Sequence, residues 1–449
     1  MFFVIDSLRA DRVYGQKKVS QIPNIESLIK NGVYFSNAIT TNQYTAQVMQ
    51  SIFSARFPLR NTKKKLYQKS NNSTSPLSIL KNSGYATIAT IQEDIILHGF
   101  TETFDNDDVA FHSQENIYNG LGEKILQKFD SIPEPWFYYI HLSDLHKPCE
   151  VPQKFQHLKL SERYEHNLSE VDSLIGKILS KINLTETLII ITSDHGDYIS
   201  VADGPRGESN RGKVKVKNSL KKLVPKLLLI KIHLKKQKIL QQFYSIRAKT
   251  SHEKRNLDSH KMTLNNNLYD DIVHVPLIFS GAKINSVPPI SQQICNVDIF
   301  PTILEYLDIP TDKLKINGRS LLPFFHGKKY ESSPIYLTSQ AIMKKLYLSI
   351  LVPEHTQSPL VGIRTENYKY FRDYNDSKKN IHLYDLINDP LEDENIYKTN
   401  PTKIEEMESI ISKIQKNYYP LLDIDIDIDI DEQQISEIQN SLKKLGYIQ

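Results

Sequence analysis

The chain has 449 residues, 39% hydrophobic and 24% charged, with a formal net charge of +4. That length holds one large core with a smaller one appended, and two cysteines, Cys149 and Cys295, make neither a disulfide framework nor a metal-binding spacing. No run approaches the ~18 apolar residues of a membrane-spanning helix. Met1 opens directly into an apolar run with no basic n-region or cleavage site, so the expectation is a cytoplasmic protein in a reducing compartment.

In chain order, the first element is Met1-Phe2-Phe3-Val4-Ile5, a short apolar run closed by Asp6. Thr45 follows in a polar loop, where a threonine reads as a helix cap. Thr187-Leu188-Ile189-Ile190-Ile191-Thr192 is a β-branched run closed by Ser193-Asp194-His195-Gly196-Asp197. Uninterrupted apolar runs are the pattern of parallel strands buried on both faces, and ligands of open α/β sheets bind at the carboxyl ends of such strands. Asp6, Asp194 and His195 are therefore expected in one crevice. Alone, an Asp after a strand or an Asp-His-Gly is more often a turn.

Between Arg206 and Arg255 stand sixteen Lys and Arg against two acids, Glu208 and Glu253. Within that segment, residues 219–240 mix Leu and Ile with Lys at roughly helical spacing. They read either as a solvated surface hairpin or as a basic amphipathic helix on an anionic membrane surface or a phosphate-rich substrate. Nucleic acid is the weaker partner, because Phe243 and Tyr244 are nearly the only aromatics there. Asp423 to Asp431 alternate strictly with Ile, and read as an acidic low-complexity linker rather than a calcium loop. Glu432 to Tyr447 reads as a closing helix with Ile435, Ile438 and Leu442 on one face.

The segment Thr45-Ala46-Gln47-Val48-Met49-Gln50-Ser51-Ile52-Phe53-Ser54-Ala55-Arg56-Phe57-Pro58-Leu59-Arg60 resembles the element of the sulfatase and alkaline-phosphatase superfamily that carries the nucleophile at the start of a helix. The strand ending in Asp6 and the Asp194-His195-Gly196 turn are similar to that family's two metal-binding elements. Further landmarks run in family order through Pro23–Ala38, Gly84–Thr87, Tyr138–Pro148, Tyr269–Ile278, Asn296–Leu304, Gly362–Thr365, Leu383–Leu386 and Leu445–Ile448. The resemblance covers almost the whole chain. It implies a three-layer α/β/α sandwich on a mostly parallel sheet over residues 1–330, with the basic segment at about 205–262 as an insertion. A smaller C-terminal α+β subdomain with an antiparallel sheet is then expected over 331–422, and the linker and closing helix over 423–449.

For chemistry, the resemblance implies Thr45 as nucleophile and a divalent metal ion held by Asp6, Asp194 and His195. Carboxylate with imidazole suits Zn or Mn, and tolerates Mg or Ca with more oxygen ligands. His146 and Lys147, in the loop after Tyr138–Leu142, are the candidates to bind the substrate and meet charge on the transferred group, and His260 is a further substrate contact. His252 and His274 are candidate additional ligands. The family's Pro, Ser and Arg after the nucleophile are replaced by Gln47, Val48 and Met49, which removes a cation. A threonine cannot become the formylglycine of a sulfatase, so a phosphate, phosphodiester or phosphonate ester is favoured over a sulfate ester, on a small molecule or lipid head group. The alternatives are sulfatase activity, a phosphomutase or phosphotransferase, and a non-catalytic scaffold; retention of Asp6, Thr45, Asp194 and His195 argues against the last.

Overall fold

A computed structural model describes residues 1–15, 18–58, 75–92, 104–106, 108–111, 115–199, 248–257, 266–312, 314–328, 330–339 and 358–418. Eight strands form the larger sheet: β1 (Phe2–Ile5), β2 (Val33–Ile39), β3 (Ala86–Gln92), β4 (Ala110–Phe111), β5 (Trp136–Leu142), β6 (Leu188–Thr192), β7 (His274–Gly281) and β8 (Ile294–Cys295). Their order is β4-β3-β5-β1-β6-β7-β2-β8. β1 lies between β5 and β6 and parallel to both, with Val4 opposite His141 on one side and Thr192 on the other. β7 runs antiparallel to its neighbours β6 and β2.

Each residue of β1 is fully buried, because helices cover both faces of the sheet. On one face Phe2, Val4 and Tyr139 pack with Val48, Met49, Ile52 and Phe53 of the helix Thr45–Ser54 and with Phe300 and Ile303 of the helix Ile299–Tyr306. On the other, Phe3, Ile5, Ile140 and Ile191 pack with Leu168, Val171 and Ile175 of the helix Leu160–Leu179 and Ile25 and Leu28 of the helix Pro23–Lys30. These are the three layers that the family resemblance implies.

A second sheet is antiparallel, in the order β12-β11-β10-β9, from β9 (Ile335–Ser339), β10 (Leu360–Arg364), β11 (Tyr368–Asp373) and β12 (His382–Asp385). Tyr336, Val361, Ile363, Tyr370 and Leu383 meet Met407 and Ile411 of the helix Pro401–Tyr418. Gly362 is required here, since a Cβ would stand 2.5 Å from the Tyr370 carbonyl oxygen. Between the two sheets runs a seam of Ile39, Val273, Leu337 and Phe371, together with a buried ion network. There Asp270 accepts from Arg364 Nη2 at 2.8 Å and from Lys369, whose Nζ also faces Glu392 Oε1 at 2.8 Å.

No described helix is long and apolar enough to cross a membrane. The amphipathic stretch 219–240, the Asp-Ile repeat and the closing helix at 432–447 lie outside the described residues.

Candidate active site

The carboxyl ends of β1, β5 and β6 open onto the start of the helix Thr45–Ser54. Asp6 leaves β1 and is only 5% exposed. Ser7 then adopts a left-handed φ of 63°, a strained conformation for a residue with a Cβ. That turn aims the Ser7 N–H at Asp194 Oδ1 (3.2 Å) and its hydroxyl at Asp6 Oδ1 (2.8 Å). The conformation is held by Tyr164, whose hydroxyl donates to the Ser7 carbonyl, and by Leu8 N–H donating to Ser193 Oγ.

From β6, Asp194 is fully buried; its Oδ1 also accepts from the His195 N–H at 2.8 Å, and its Oδ2 accepts no hydrogen bond. His195 Nδ1–H donates to the Gly196 carbonyl at 2.8 Å. A neutral ring with that tautomer carries its lone pair on Nε2. His195 Nε2 lies 3.5 Å from Asp194 Oδ2 and 3.9 Å from Asp6 Oδ1. One donor atom from each of Asp6, Asp194 and His195 falls within 4.8 Å of the others. Two ligands ~2.0–2.2 Å from one ion stand at most about 4.4 Å apart, so the trio fits a divalent cation after a small contraction. The unpartnered, buried Asp194 Oδ2 gives the same answer, since a buried anion requires a cation or hydrogen bonds.

Burial alone would raise the Asp6 pKa, but His146, His141 and His195 outweigh it and hold the carboxyl well below its usual range. Burial would lower that of His195, and Asp194 and Asp6 overcome it and raise it.

Thr45 is the first residue of its helix; the residue preceding it, Tyr44, occupies the cap position and no side chain caps the end. The Thr45 hydroxyl is therefore not spent as a cap, and stands 3.4 Å from His195 Nε2. Unpaired N–H groups and the helix dipole favour negative charge beside it. In the following turn Met49 points into the core, so no cation stands at the position where the family carries its arginine.

His146 sits on the turn after β5, with its ring centroid 6.5 Å from that of His195 and its Nδ1–H donating to the Lys147 carbonyl. Lys147 Nζ donates to Asp197 Oδ1 at 2.8 Å, so its charge faces a carboxylate at the edge of the crevice. His252 and His274 lie elsewhere. His252 Nε2 is 3.2 Å from Asp271 Oδ1, and His274 Nε2–H donates to the Ser36 carbonyl. His260 lies outside the described residues.

Sequence reasoning missed Tyr164 and Ser193, which hold the Ser7 turn, and a histidine beside Asp6. His141, fully buried on β5, places Nε2 3.8 Å from Asp6 Oδ2. A histidine inside an apolar strand reads as core; its signal was phase, because it shares a sheet face with Tyr139 and, through β1, with Val4 and Asp6.

The α/β sandwich thus sets an Asp-Asp-His cluster of metal-ligand type beside a helix-borne hydroxyl at its strand ends. The family model "Sulfatase" matches residues 1–309, and that of the N-sulphoglucosamine sulphohydrolase C-terminal region matches residues 260–419. The chain belongs to the sulfatase family. Arylsulfatase K of Xenopus laevis is 24% identical over 280 residues, which cover 61% of this chain and 40% of that protein. Arylsulfatase K of Gallus gallus is 26% identical over 250 residues, covering 55% and 35%. The matched stretch thus spans less than half the length of these relatives. Among solved structures, a 2-O GAG sulfatase aligns with a TM-score of 0.62 at 17% identity over 95% of this chain and 94% of that one. Phosphonate monoester hydrolase from Silicibacter pomeroyi aligns at 0.61 and 13% identity over 96% and 97%. At these identities the structural matches establish the fold.

Proposed function

We propose that the chain is a metal-dependent hydrolase that cleaves a phosphate, phosphodiester or phosphonate ester through a covalent intermediate on Thr45. The observation that carries this reading is the Thr45 hydroxyl, left free of capping at the start of its helix and 3.4 Å from His195 Nε2. A divalent ion held by Asp6, Asp194 and His195 would favour the alkoxide and polarise an ester oxygen. Thr45 Oγ1, its proton given up to solvent, bonds to phosphorus as the P–O bond to the organic group breaks, and His146 supplies a proton to the departing oxygen. Water, giving a proton to the now neutral His146, then attacks the phosphothreonine, and the P–Oγ1 bond breaks as Thr45 leaves as the alkoxide. Lys147, held by Asp197, sets the charge at the crevice mouth and orients the His146 loop. That a threonine cannot become the formylglycine of a sulfatase supports this substrate class. The relatives named arylsulfatase K favour a second reading, a sulfate ester attacked by the same hydroxyl.

The test is a panel of p-nitrophenyl phosphate, bis-p-nitrophenyl phosphate, a phenylphosphonate ester and p-nitrophenyl sulfate, each with Zn, Mn, Mg or Ca. We expect turnover of a phosphorus ester, a quenched phosphoryl adduct mapping to Thr45, and a loss of roughly a thousandfold or more in Thr45→Ala with metal still bound. Thr45→Ser keeps part of the activity, since the hydroxyl remains. Full activity in Thr45→Ala, or turnover of the sulfate ester alone, overturns the proposal.

A further inference from the structure

Asp6 shows its two carboxylate oxygens to two different histidines. Oδ1 faces His195, and Oδ2 faces His141 Nε2 at 3.8 Å. His141 is 0% exposed, and its Nδ1 lies 2.6 Å from the hydroxyl of Tyr139, also 0% exposed. The rings of this pair meet edge to face, 6.0 Å apart, which accounts for the imidazole as packing but not for its Nε2. That atom is buried without a hydrogen-bond partner. An unsatisfied buried polar atom destabilises the fold, so a plain core position would be better filled by an apolar side chain.

The donor atoms of Asp6, Asp194 and His195 form one tight set, and His141 stands outside it. Its nitrogen is instead aimed at the side of Asp6 that faces away from His195. With Nε2 protonated, the contact to the carboxylate is attractive; with the other tautomer, a lone pair would face an anion. The Tyr139 hydroxyl beside Nδ1 is compatible with that arrangement, in which its O–H donates to Nδ1 and the ring proton stands on Nε2. His141 also lies on the sheet face covered by the Thr45 helix, where Met49 brings no donor.

We propose that His141 is a positioning residue of the metal centre: Tyr139 Oη–H donates to His141 Nδ1, and His141 Nε2–H holds Asp6 Oδ2, leaving Oδ1 to face the ion. This rests on reading Asp6, Asp194 and His195 as a divalent-ion site, and not on the identity of the substrate. Ligating carboxylates are commonly held by such outer partners, whose loss weakens metal binding by about 10–100-fold. The 3.8 Å separation is an electrostatic contact, longer than a formed hydrogen bond, between two buried groups.

The experiment is calorimetric titration of the metal-free full chain with Zn or Mn, in the absence of substrate. His141→Leu should weaken the Kd by about 10–100-fold, His141→Gln, which retains an N–H at similar reach, should recover most of it, and Tyr139→Phe should lose a smaller part. A wild-type Kd in His141→Leu overturns the proposal. So does a His141→Gln as weak as the leucine variant, because that result makes His141 a direct ligand. Should the leucine variant fail to fold, NMR of the metal-loaded wild type with labelled histidine decides: Nε2 of His141 must carry the proton and Nδ1 must not. A wild-type chain that binds neither ion removes the metal reading itself. Failure of the phosphorus-ester reading leaves every one of these affinities unchanged.

Discussion

Two clusters of buried carboxylates, one at the ends of β1 and β6 and one on the seam between the sheets, are neutralised in opposite ways. At the seam each acid meets a permanent cation: Asp270 meets Arg364 and Lys369, and Asp271 meets Arg9 at 2.9 Å. Burial pushes the pKa of Asp270 and Asp271 up, but these cations outweigh it and hold both well below the usual range. Glu392, which shares Lys369 with Asp270, is pushed up by burial despite that lysine. At the strand ends, Asp6 and Asp194 have imidazoles, backbone N–H groups and the Ser7 hydroxyl, but no guanidinium or ammonium among their described contacts. The seam is closed as an internal salt. The crevice keeps a negative balance that an exchangeable cation can complete.

The two clusters should therefore respond to mutation along separate axes. The largest effect is expected at the crevice: Asp194→Asn should lose metal affinity by more than ~100-fold, beyond what an outer partner costs, while the metal-free protein unfolds within ~1 kcal/mol of wild type. Metal content by mass spectrometry and denaturant unfolding check both halves. Stoichiometric metal in this variant would break the comparison.

Next, Lys369→Met should destabilise the fold by about 3–5 kcal/mol, because Asp270 and Glu392 are left buried with one cation fewer. Added metal should not selectively rescue it, and its metal affinity, measured where it is folded, should equal that of wild type. A variant that kept its stability but lost metal would place the seam inside the site.

The smallest effect sharpens the picture through pH. Asp144, in the turn between β5 and His146, has its pKa pushed up to about 6 by burial, and its Oδ2 accepts no hydrogen bond. Its charged form is thus disfavoured in the folded chain: the penalty is absent below the unfolded carboxylate pKa of ~4, grows as pH rises, and is complete above about 6. Asp144→Asn should therefore stabilise the protein on the order of 1–3 kcal/mol at about pH 8 and leave it unchanged near pH 4. Asp270 and Asp271 have the opposite sign. Their stabilisation is present above ~4 and is lost as pH falls below it. Unfolding curves at several pH values separate the two, and an Asp144→Asn protein no more stable than wild type at high pH would remove the first.

Much of this was legible in the chain. The convergence of Asp6, Asp194 and His195 could be read because strand ends are marked by apolar runs, and a polar residue that closes such a run has a predictable position; Thr45, in a polar loop, was carried by the family resemblance. The C-terminal sheet was legible through Gly362-Ile363-Arg364 and Leu383-Tyr384-Asp385. Pairings set by tertiary geometry were not. Nothing local announces that Lys147 turns to Asp197, that Tyr44 rather than Thr45 occupies the cap, or that His141 looks at Asp6 from the neighbouring strand. The seam was equally silent, because Asp270 and Lys369 are 99 residues apart and each alone reads as surface charge.

The hydrogen bond from Ser7 N–H to Asp194 joins residues 187 apart in sequence. Loop-closure entropy delays such contacts, so the Asp6, Asp194 and His195 cluster is completed only when β1 and β6 have docked. A cation that recognises the assembled pocket and not the unfolded chain adds stability by mass action, about 2.7 kcal/mol at a concentration one hundred times its Kd. With a divalent ion bound as proposed, the Ser7 turn that aims two carboxylates would tie the lifetime of the whole chain to the supply of free metal. Chelation would act on the protein as a form of proteolytic sensitisation as well as a block on turnover.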